Sequence, residues 1–482
     1  MNGRWSFGAT KLLAFGALAV LGGWGLRKAA SAALEGWADR TVSLVTQEPY
    51  QENLLEVLSQ FRRVGVQRAL EIDLRASTDR MLLRPLGTPK AMPDFSGLMF
   101  NLAQLGPLPT PHDRPVRMDV TIGPKALRPL EIAFPVMISG MGYGVFMSRA
   151  AKLAIARAAN MAGTATNTGE GPFLMEERHV AHKLIVQYHR GNWMNLDALT
   201  YADAVEIHIG QGASGSVGSK LPPEKVTKAL KETMGLEPHQ DVEMRSTFPE
   251  LAEGRGLAPL VERARALSDG APVLVKLAAS HRIEHDLAVC LQAGVDGVVI
   301  DGAQAGSGQS PPISQDDFGI PTLYGLVRAR RFLDDADPEG RVSLIVSGGL
   351  CTPGDFLKCL ALGADAVYIG TAAILALMTG QQSKATPGEP PTQVITYQGK
   401  EHHAFDPDKG TIALARYLRN CRLEMEYGLR LLGKDDVLAL GPDDLCALDE
   451  QTAIATGVEP AYRAPQATRS GREPSSQRRR RR

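Results

Sequence analysis

The sequence has no excess of charge of either sign, because 53 lysines and arginines balance 53 aspartates and glutamates. A nucleic-acid-binding domain carries a basic excess, so this balance argues against a nucleic-acid partner. Cysteine is also scarce, and no two of the five cysteines form a CxxC pair. Their spacing argues against a structural zinc site and against a disulfide framework.

The N-terminus contains an uncharged, mostly apolar run of 15 residues, Leu12 to Leu26, between Lys11 and Arg27-Lys28. It is short for a membrane-spanning helix, which takes about 20 residues, but snorkelling of Lys11 would lengthen the span. We expect a retained membrane anchor with the body of the protein in the cytoplasm, because basic flanking residues favour that side. The alternative is a cleaved signal peptide, since Ala30-Ser31-Ala32 resembles a cleavage site.

Composition divides the chain into five regions. They are a membrane anchor over residues 1–34, a cap over 35–110, a strand–helix alternation over 111–380, a C-terminal helical extension over 381–463, and a disordered tail over 464–482. The tail ends in five arginines. It is either simply solvated or in contact with anionic lipid headgroups.

Eight short apolar runs within residues 111–380 each close on a glycine or a polar residue and alternate with helical segments. This pattern is typical of a (β/α)8 TIM barrel, an α/β fold of about 250 residues whose active-site groups come from the C-terminal strand ends. The predicted strands are Phe134–Ser139, Thr164–Thr168, Ile185–His189, Ala204–Ile209, Pro272–Ala278, Gly297–Asp301, Val342–Ser347 and Ala366–Ile369.

Two glycine turns close the last two predicted strands. Ser347-Gly348-Gly349 ends the seventh strand, and Gly370-Thr371 ends the eighth. Glycine at a strand end lets backbone N–H groups approach a phosphate without interference from a Cβ atom. Barrels commonly bind phosphate after strands 7 and 8, so these turns predict an enzyme that holds a phosphorylated cofactor.

Six strand-end motifs follow one another along the barrel: Ser139-Gly140-Met141-Gly142-Tyr143-Gly144, Thr166-Asn167-Thr168-Gly169-Glu170-Gly171, Gly210-Gln211-Gly212-Ala213, Val275-Lys276-Leu277, Ser347-Gly348-Gly349-Leu350 and Gly370-Thr371-Ala372-Ala373. Their order resembles the FMN-binding central domain of glutamate synthase, and the Asn-Thr-Gly-Glu-Gly run is the most specific element. The resemblance implies an oxidoreductase in which ammonia condenses with 2-oxoglutarate and reduced FMN delivers a hydride to the imine, yielding glutamate.

The resemblance also implies a set of cofactor-binding residues. Backbone N–H groups near Gly140 and Met141 would reach the flavin, polar side chains would bond the polar edge of the ring, and the glycine turns would hold the phosphate. The expected residues are Gly140, Met141, Asn167, Thr168, Gln187, Lys276, Ser347, Gly348, Gly349, Gly370 and Thr371.

Lys276 has a further role in this prediction. Strand alternation turns it into the barrel interior, where a lone ammonium is costly to bury. We expect it to stabilise the negative charge of the reduced flavin and so to be catalytic. The alternative is a salt bridge to Asp301 inside the barrel.

Two more residues are predicted to be catalytic. Glu170 is the candidate carboxylate near the substrate nitrogen, unless it only stabilises the start of a helix. His208 shares a strand face with Glu206, and a histidine beside a carboxylate can act as a general acid near neutral pH. A buried, satisfied polar pair is the alternative. The expected substrate-binding residues are Glu170, Arg190, Gln211 and Asp301.

The chain departs from the family at two places. Glutamate synthases carry a three-cysteine run for a 3Fe–4S cluster after the last phosphate loop, whereas residues 378–400 contain no cysteine. We therefore expect no iron–sulfur cluster and no other metal, and the electron donor stays open.

The second departure concerns the cationic residues that the resemblance places around the substrate. At three of those positions the chain has Val186, Asn192 and Ser214. Because a dicarboxylate needs fixed cationic donors, we expect weak binding of 2-oxoglutarate unless Arg190 substitutes. The alternatives are flavin-dependent oxidation of another α-amino or α-hydroxy acid, or a non-catalytic flavin-binding barrel.

Overall fold

A computed structural model describes residues 28–463, except 29–30, 48, 50–52, 54, 222–225 and 238. The chain forms two compact units, Met1–Leu82 and Leu83–Arg482. The described part of the first unit is helical over 31–47, Leu55–Val64 and Val66–Ser77. Gly65 separates the last two helices at a φ of 87°, a conformation that glycine adopts without a Cβ penalty.

The prediction of a membrane-anchored protein is corrected by the structure. No helix in the part of the chain that the structure describes is long and apolar enough to cross a membrane. The run Leu12 to Leu26 and the tail 464–482, on which the two membrane-related expectations rested, lie outside the described residues.

The second unit is built on eight parallel strands. They are β1 Val136–Ile138, β2 Thr166–Asn167, β3 Leu184–Tyr188, β4 Ala204–His208, β5 Val273–Ala278, β6 Gly297–Asp301, β7 Ser343–Ser347 and β8 Ala366–Ile369. Their hydrogen-bonded order is β1–β8–β7–β6–β5–β4–β3–β2. Between β1 and β2 the backbone contact is a bond from Ile138 N–H to the carbonyl of Ala165, 3.0 Å. The predicted barrel is therefore confirmed as a nearly closed one.

Helices follow the strands and cover the outside of the barrel. In chain order they are Arg149–Ala162, Met175–Val180, the 3-10 turn Leu196–Tyr201, Ala258–Leu267, Ile283–Gln292, Thr322–Ala336, Pro353–Ala361 and Thr371–Leu377. Ser148 caps the first helix as its sequence predicts, because its Oγ accepts from the N–H of Ala151 at 3.3 Å. Apolar strand residues and inward helix faces form one continuous core.

The remaining elements of the second unit lie outside the eight strands and their covering helices. The C-terminal extension contains the long helix Pro407–Leu431 and the helix Glu450–Thr456, and its strand Leu445–Ala447 pairs antiparallel with Leu98–Phe100. Val120–Ile122 and Leu130–Ile132 form a hairpin before β1. Shorter helical pieces are Phe95–Gly97, Pro249–Ala252, Pro312–Asp316, Gln382–Lys384, Pro391–Val394, His402–Ala404, Val437–Ala439 and Pro442–Asp444.

One insertion follows β4, over residues 210–257. This β4 insertion contains the helix Lys228–Met234 and a two-stranded pair, Ser219–Lys220 with Glu243–Met244. It has a small hydrophobic cluster of its own, formed by Leu230, Met234, Val242 and Met244 together with Trp193 from the β3 loop. The β4 insertion is thereby fixed to the C-terminal ends of the strands, where the predicted site residues lie.

Candidate active site

Lys276, on β5, points into the barrel and is 2% exposed. Its Nζ lies 3.6 Å from Oδ2 of Asp301 on β6 and donates to Oγ of Ser139 at 3.4 Å. Burial alone would lower the pKa of Lys276, but the nearby carboxylates of Asp301, Glu206 and Glu170 raise it above its usual value. The carboxylates thus favour the charged form of Lys276, whose side chain both faces the interior and pairs with Asp301.

Glu206, on β4, is completely buried and accepts hydrogen bonds from two side-chain amides. Its Oε1 accepts from Nδ2 of Asn167 at 2.9 Å and from Nε2 of Gln187 at 2.7 Å. A carboxylate can only accept, so it fixes which way each amide is turned. The oxygen of Asn167 accepts from the N–H of Gly169, whereas Oε1 of Gln187 is buried without a partner among the described residues. Gln187 therefore presents an unused acceptor.

His208, at the end of β4, is paired with a carboxylate from another strand. Its Nδ1 lies 2.8 Å from Oε1 of Glu170, in the loop after β2. Glu206, which shares the strand with His208, is engaged by the two amides instead, so the expected Glu206–His208 pair does not form. In the described part of the chain, both ring nitrogens of His208 are buried without an aligned hydrogen bond, so the contact of Nδ1 with Glu170 is one of charge and proximity.

The Glu170 carboxyl is ionised in this setting. Burial would raise its pKa, but His208, His189 and Arg190 outweigh that effect and lower the pKa to about 2. His189, directly after β3, shows the opposite balance: burial lowers its pKa to about 4, so its imidazole is neutral at pH 7. The sequence predicts His189 only as the last residue of a strand, and the structure brings it close to Glu170.

The predicted substrate residues Arg190, Asp301 and Gln211 each bond to other protein groups, although Nε of Arg190 and Oδ1 of Asp301 are buried without a partner among the described residues. One terminal nitrogen of Arg190 donates to the carbonyls of Ser216 and Ser246, each at 2.7 Å, and so ties down the β4 insertion. Asp301 accepts from the N–H of Gly212 at 3.1 Å. Nε2 of Gln211 donates to Oγ of Ser214 at 3.3 Å.

The three positions that lack a cation also have local roles. Val186 lies on the outer side of β3, in the wall of a small cavity that Phe173, Trp193 and Met194 also line. Asn192 donates to the carbonyl of Asp241 at 2.8 Å and accepts from the N–H of Glu243 at 3.1 Å. Oγ of the third residue, Ser214, accepts from Nε2 of Gln211 at 3.3 Å, and its N–H donates to the carbonyl of Gln211 at 3.2 Å.

The loops after β1 and β2 pass each other at backbone contact. A Cβ atom on Gly140 would lie 2.9 Å from Oδ1 of Asn167, and one on Gly142 would lie 2.3 Å from the backbone nitrogen of Gly171. Gly169 has a φ of 69° and the same lack of space. Oγ1 of Thr168, the residue before Gly169, accepts a hydrogen bond from the backbone N–H of Gln187 at 2.9 Å. These contacts explain the glycine-rich motifs and place Gly140 against the side-chain amides of Asn167 and Gln187.

The glycine turns after β7 and β8 are shaped differently. Gly348 and Gly349 have φ angles of 121° and 74°, and a Cβ on either would lie within 3.0 Å of Thr322 or Gln304 atoms. A Cβ on Gly370 would meet nothing within 4 Å. Ser347, the last residue of β7, is buried, and Thr371 donates through its Oγ1 to the carbonyl of Leu86 at 3.4 Å. The turns thus leave open space directly above Gly370.

The cysteines form no cluster. Cys290, Cys359 and Cys421 are buried, Cys351 is exposed and Cys446 is half-buried, and all five are free thiols. Within the described residues, no group of three or more histidine, cysteine, aspartate or glutamate side chains is arranged to hold a metal ion. The expected absence of an iron–sulfur cluster stays a prediction.

Comparison with known proteins identifies a related family. A model for the conserved region in glutamate synthase matches residues 110–435. The glutamate synthase large subunit-like protein of Rhizobium meliloti is 32% identical over 408 residues, covering 80% of this chain and 92% of that protein. An archaeal-type NADPH glutamate synthase of a Thermotoga species is 35% identical over 367 residues, covering 73% and 70%.

Proposed function

We propose that this chain, which belongs to the glutamate synthase family, binds FMN at the C-terminal mouth of its barrel and reduces a 2-imino acid to an amino acid. It is a glutamate synthase-like oxidoreductase. The observation that carries the proposal is the unused acceptor of Gln187 together with the buried Lys276 ammonium, both inside the barrel.

These groups fit the polar edge of a flavin ring. The pyrimidine part of the ring has one N–H donor at N3 between carbonyl acceptors, and the reduced ring is negatively charged near N1. Oε1 of Gln187 is a buried acceptor without a partner and needs such a donor. Lys276 is a buried cation and suits the negative end. We assign both residues, with the Asn167 amide beside them, to the ring edge.

The phosphate would lie at the two glycine turns. In the described part of the chain, the N–H groups of Gly348, Gly349 and Gly370 donate to no other group. Gly348 is buried, Gly370 is half-buried and Gly349 is exposed. N–H donors shielded from water require an acceptor, and a phosphate offers several. The open space above Gly370 is where a Cβ atom would otherwise stand.

FMN, when bound, would supply the hydride for reduction of the imine carbon. The protein must supply a proton to the substrate nitrogen, and we assign this step to Nε2 of His208. Oε1 of Glu170 lies 2.8 Å from Nδ1 of the same ring, and its negative charge there would stabilise the charged imidazolium. Glu170 is ionised, so it orients His208 and does not give up a proton itself.

The substrate is a 2-oxo acid with ammonia, and 2-oxoglutarate is the family's expectation for it. One observation favours a second candidate, the flavin-dependent oxidation of another α-amino acid. Arg190, the predicted anchor for a distal carboxylate, already binds two backbone carbonyls through one of its nitrogens. A substrate with a single carboxylate would not need the cationic side chains that this chain lacks.

Anaerobic half-reactions separate these candidates. Purified protein is loaded with FMN, reduced with dithionite, and mixed with 2-oxoglutarate and ammonium; reoxidation of the flavin with formation of glutamate supports the synthase reaction. Oxidised protein is mixed in parallel with a panel of amino acids, and bleaching of the flavin supports the second candidate. A protein that takes up no FMN in equilibrium dialysis contradicts the proposal.

A further inference from the structure

Lys152 is a buried lysine in an alanine-rich helix. It lies in the second turn of the helix Arg149–Ala162, and its side chain is 1% exposed. The buried neighbours on the same helix are apolar, chiefly alanines. An ammonium in such a place is costly unless specific partners compensate for the lost water.

Two partners surround the Lys152 ammonium. Its Nζ donates to the backbone carbonyl of Asn167 at 2.5 Å and lies 3.1 Å from Oε1 of Glu177. Glu177 belongs to the helix Met175–Val180 and is itself 2% exposed. The ammonium therefore joins two helices to the end of β2.

The carbonyl of Asn167 lies at the seam of the barrel. On β2, the N–H groups of Thr166 and Thr168 donate to β3. Backbone groups alternate along a strand, so Ala165 and Asn167 face the other side, toward β1. Ala165 accepts from Ile138 of β1, but the β1–β2 ladder goes no further. Lys152 thus supplies the donor that a neighbouring strand would otherwise give to Asn167.

Asn167 also contributes its side-chain amide to the proposed flavin site. The Asn167 amide donates to Glu206 and accepts from Gly169. Glu206 in turn sets the orientation of Gln187. A shift of the Asn167 backbone would therefore move both amides, and within the described residues the Lys152 ammonium donates the hydrogen bond to the Asn167 carbonyl.

Stability alone does not account for this ion pair. A buried pair gains Coulomb energy but loses hydration, and its replacement by well-packed apolar residues is often neutral or stabilising. A role that apolar residues cannot perform is the hydrogen bond to the Asn167 carbonyl.

We propose that Lys152 is a positioning residue for the flavin site: it holds the Asn167 carbonyl at the β1–β2 seam and thereby fixes the amides of Asn167 and Gln187, while Glu177 balances its charge. This inference rests on the proposed function, because it concerns the same site. It adds a residue that lies outside that site and touches neither substrate nor cofactor.

The test compares FMN binding and stability in the full-length protein. In the double variant Lys152→Met/Glu177→Leu, both charges are removed together, so the melting temperature should stay within a few degrees of wild type. The FMN dissociation constant should rise about tenfold or more, as expected when a charge-assisted hydrogen bond is lost. The visible circular dichroism of the bound flavin should change as well, because its amide contacts move. A double variant that binds FMN as wild type does, with the same spectrum, overturns the proposal.

Two further variants keep the test decisive. Glu177→Gln leaves the Lys152 donor on Asn167 and removes only its counter-charge, so we expect lower stability and FMN affinity within about twofold of wild type. A tenfold loss of FMN affinity in Glu177→Gln would assign the effect to the ion pair and overturn the proposal, even where the double variant does not fold. Arg265→Met is the matched control, because it breaks the Arg265–Asp296 pair of 2.8 Å elsewhere on the barrel. This variant should leave FMN binding unchanged. An equal loss of FMN affinity in it would show that the barrel loosens generally, and would overturn the proposal. Failure of wild type to bind FMN would instead contradict the proposed function.

Discussion

His208 and Glu170 approach to 2.8 Å between Nδ1 and Oε1, although one ends β4 and the other lies in the loop after β2. The pair resembles the orienting half of a catalytic triad, in which a carboxylate holds one ring nitrogen so that the other can exchange a proton. Five predictions follow from the site around this pair.

The Glu170–His208 pair should protect the protein at moderately acidic pH. The pKa of Glu170 is lowered from 4.5 to about 2, so its contribution to stability is complete above about pH 4.5 and is lost as the pH falls toward 2. In Glu170→Gln this contribution is absent at every pH. Thermal unfolding from pH 6 to pH 3 should therefore show a steeper loss in wild type than in the variant. Parallel curves would contradict the assignment of the low pKa to Glu170.

His189 should make the protein acid-sensitive in a different range. Its pKa is lowered by burial from 6.5 to about 4, so the unfolded chain binds a proton that the folded chain rejects. The free energy of unfolding should fall as the pH drops from 6.5 to 4, by on the order of 3 kcal/mol in total. In His189→Gln, denaturant titrations at pH 7 and pH 4.5 should lose most of this difference. An unchanged difference would place the titrating group elsewhere.

Gly370 should accept a side chain without harm to the fold, because a Cβ atom there meets nothing within 4 Å. It is the N-cap of Thr371–Leu377, where aspartate and asparagine are both favourable. We expect Gly370→Asp to keep or slightly raise the melting temperature and yet to abolish FMN binding, because its carboxylate repels the phosphate. Gly370→Asn is the neutral control and should retain measurable binding. Equal binding by both variants would place the phosphate elsewhere.

Lys276 and Glu206 should shift the midpoint potential of bound FMN in opposite directions. The Lys276 ammonium favours the negatively charged reduced flavin, so Lys276→Met should lower the potential by about 30 mV or more, which corresponds to about 1.4 kcal/mol for two electrons. Glu206→Gln removes a nearby negative charge and should raise it. Spectroelectrochemical titration measures both values. Shifts of the same sign would show that a general change in packing, and not local charge, controls the potential.

Turnover of 2-oxoglutarate should be weak. Two missing charge-assisted hydrogen bonds, worth about 1.5–3 kcal/mol each, weaken binding by about 10²-fold or more. Steady-state assays with ammonium should therefore give a kcat/KM for 2-oxoglutarate no more than about tenfold above that for pyruvate. A micromolar KM for 2-oxoglutarate that survives Arg190→Ala would reveal an anchor among other residues and would favour glutamate synthesis.

The sequence predicted the barrel well because its signals are local. The ends of β6 and β8 agree with the predicted spans, and Ser148 caps its helix as expected. The interior position of Lys276 follows from strand alternation alone, and the glycine turns follow from backbone conformations that other residues rarely adopt.

The partners of the polar residues could not be predicted in this way. Alternation placed Glu206 and His208 on one face, but it does not reveal which neighbouring strand offers better donors. In the folded barrel two side-chain amides donate hydrogen bonds to Glu206, and the loop after β2 brings Glu170 to His208. Arg190 likewise meets carbonyls of the β4 insertion, which lie 26 and 56 residues further along the chain. Such pairings depend on tertiary packing.

The close passage of the β1 and β2 loops has a consequence for how this protein can be altered. Gly140 and Gly142 occupy the space that side chains at Gly169 and Gly171 would need, and the reverse is equally true. The two loops therefore form a single mutational unit. A library that diversifies one loop while the other stays fixed would yield mostly misfolded clones, and redesign of substrate preference is better begun in the β4 insertion, whose surface residues have room to vary.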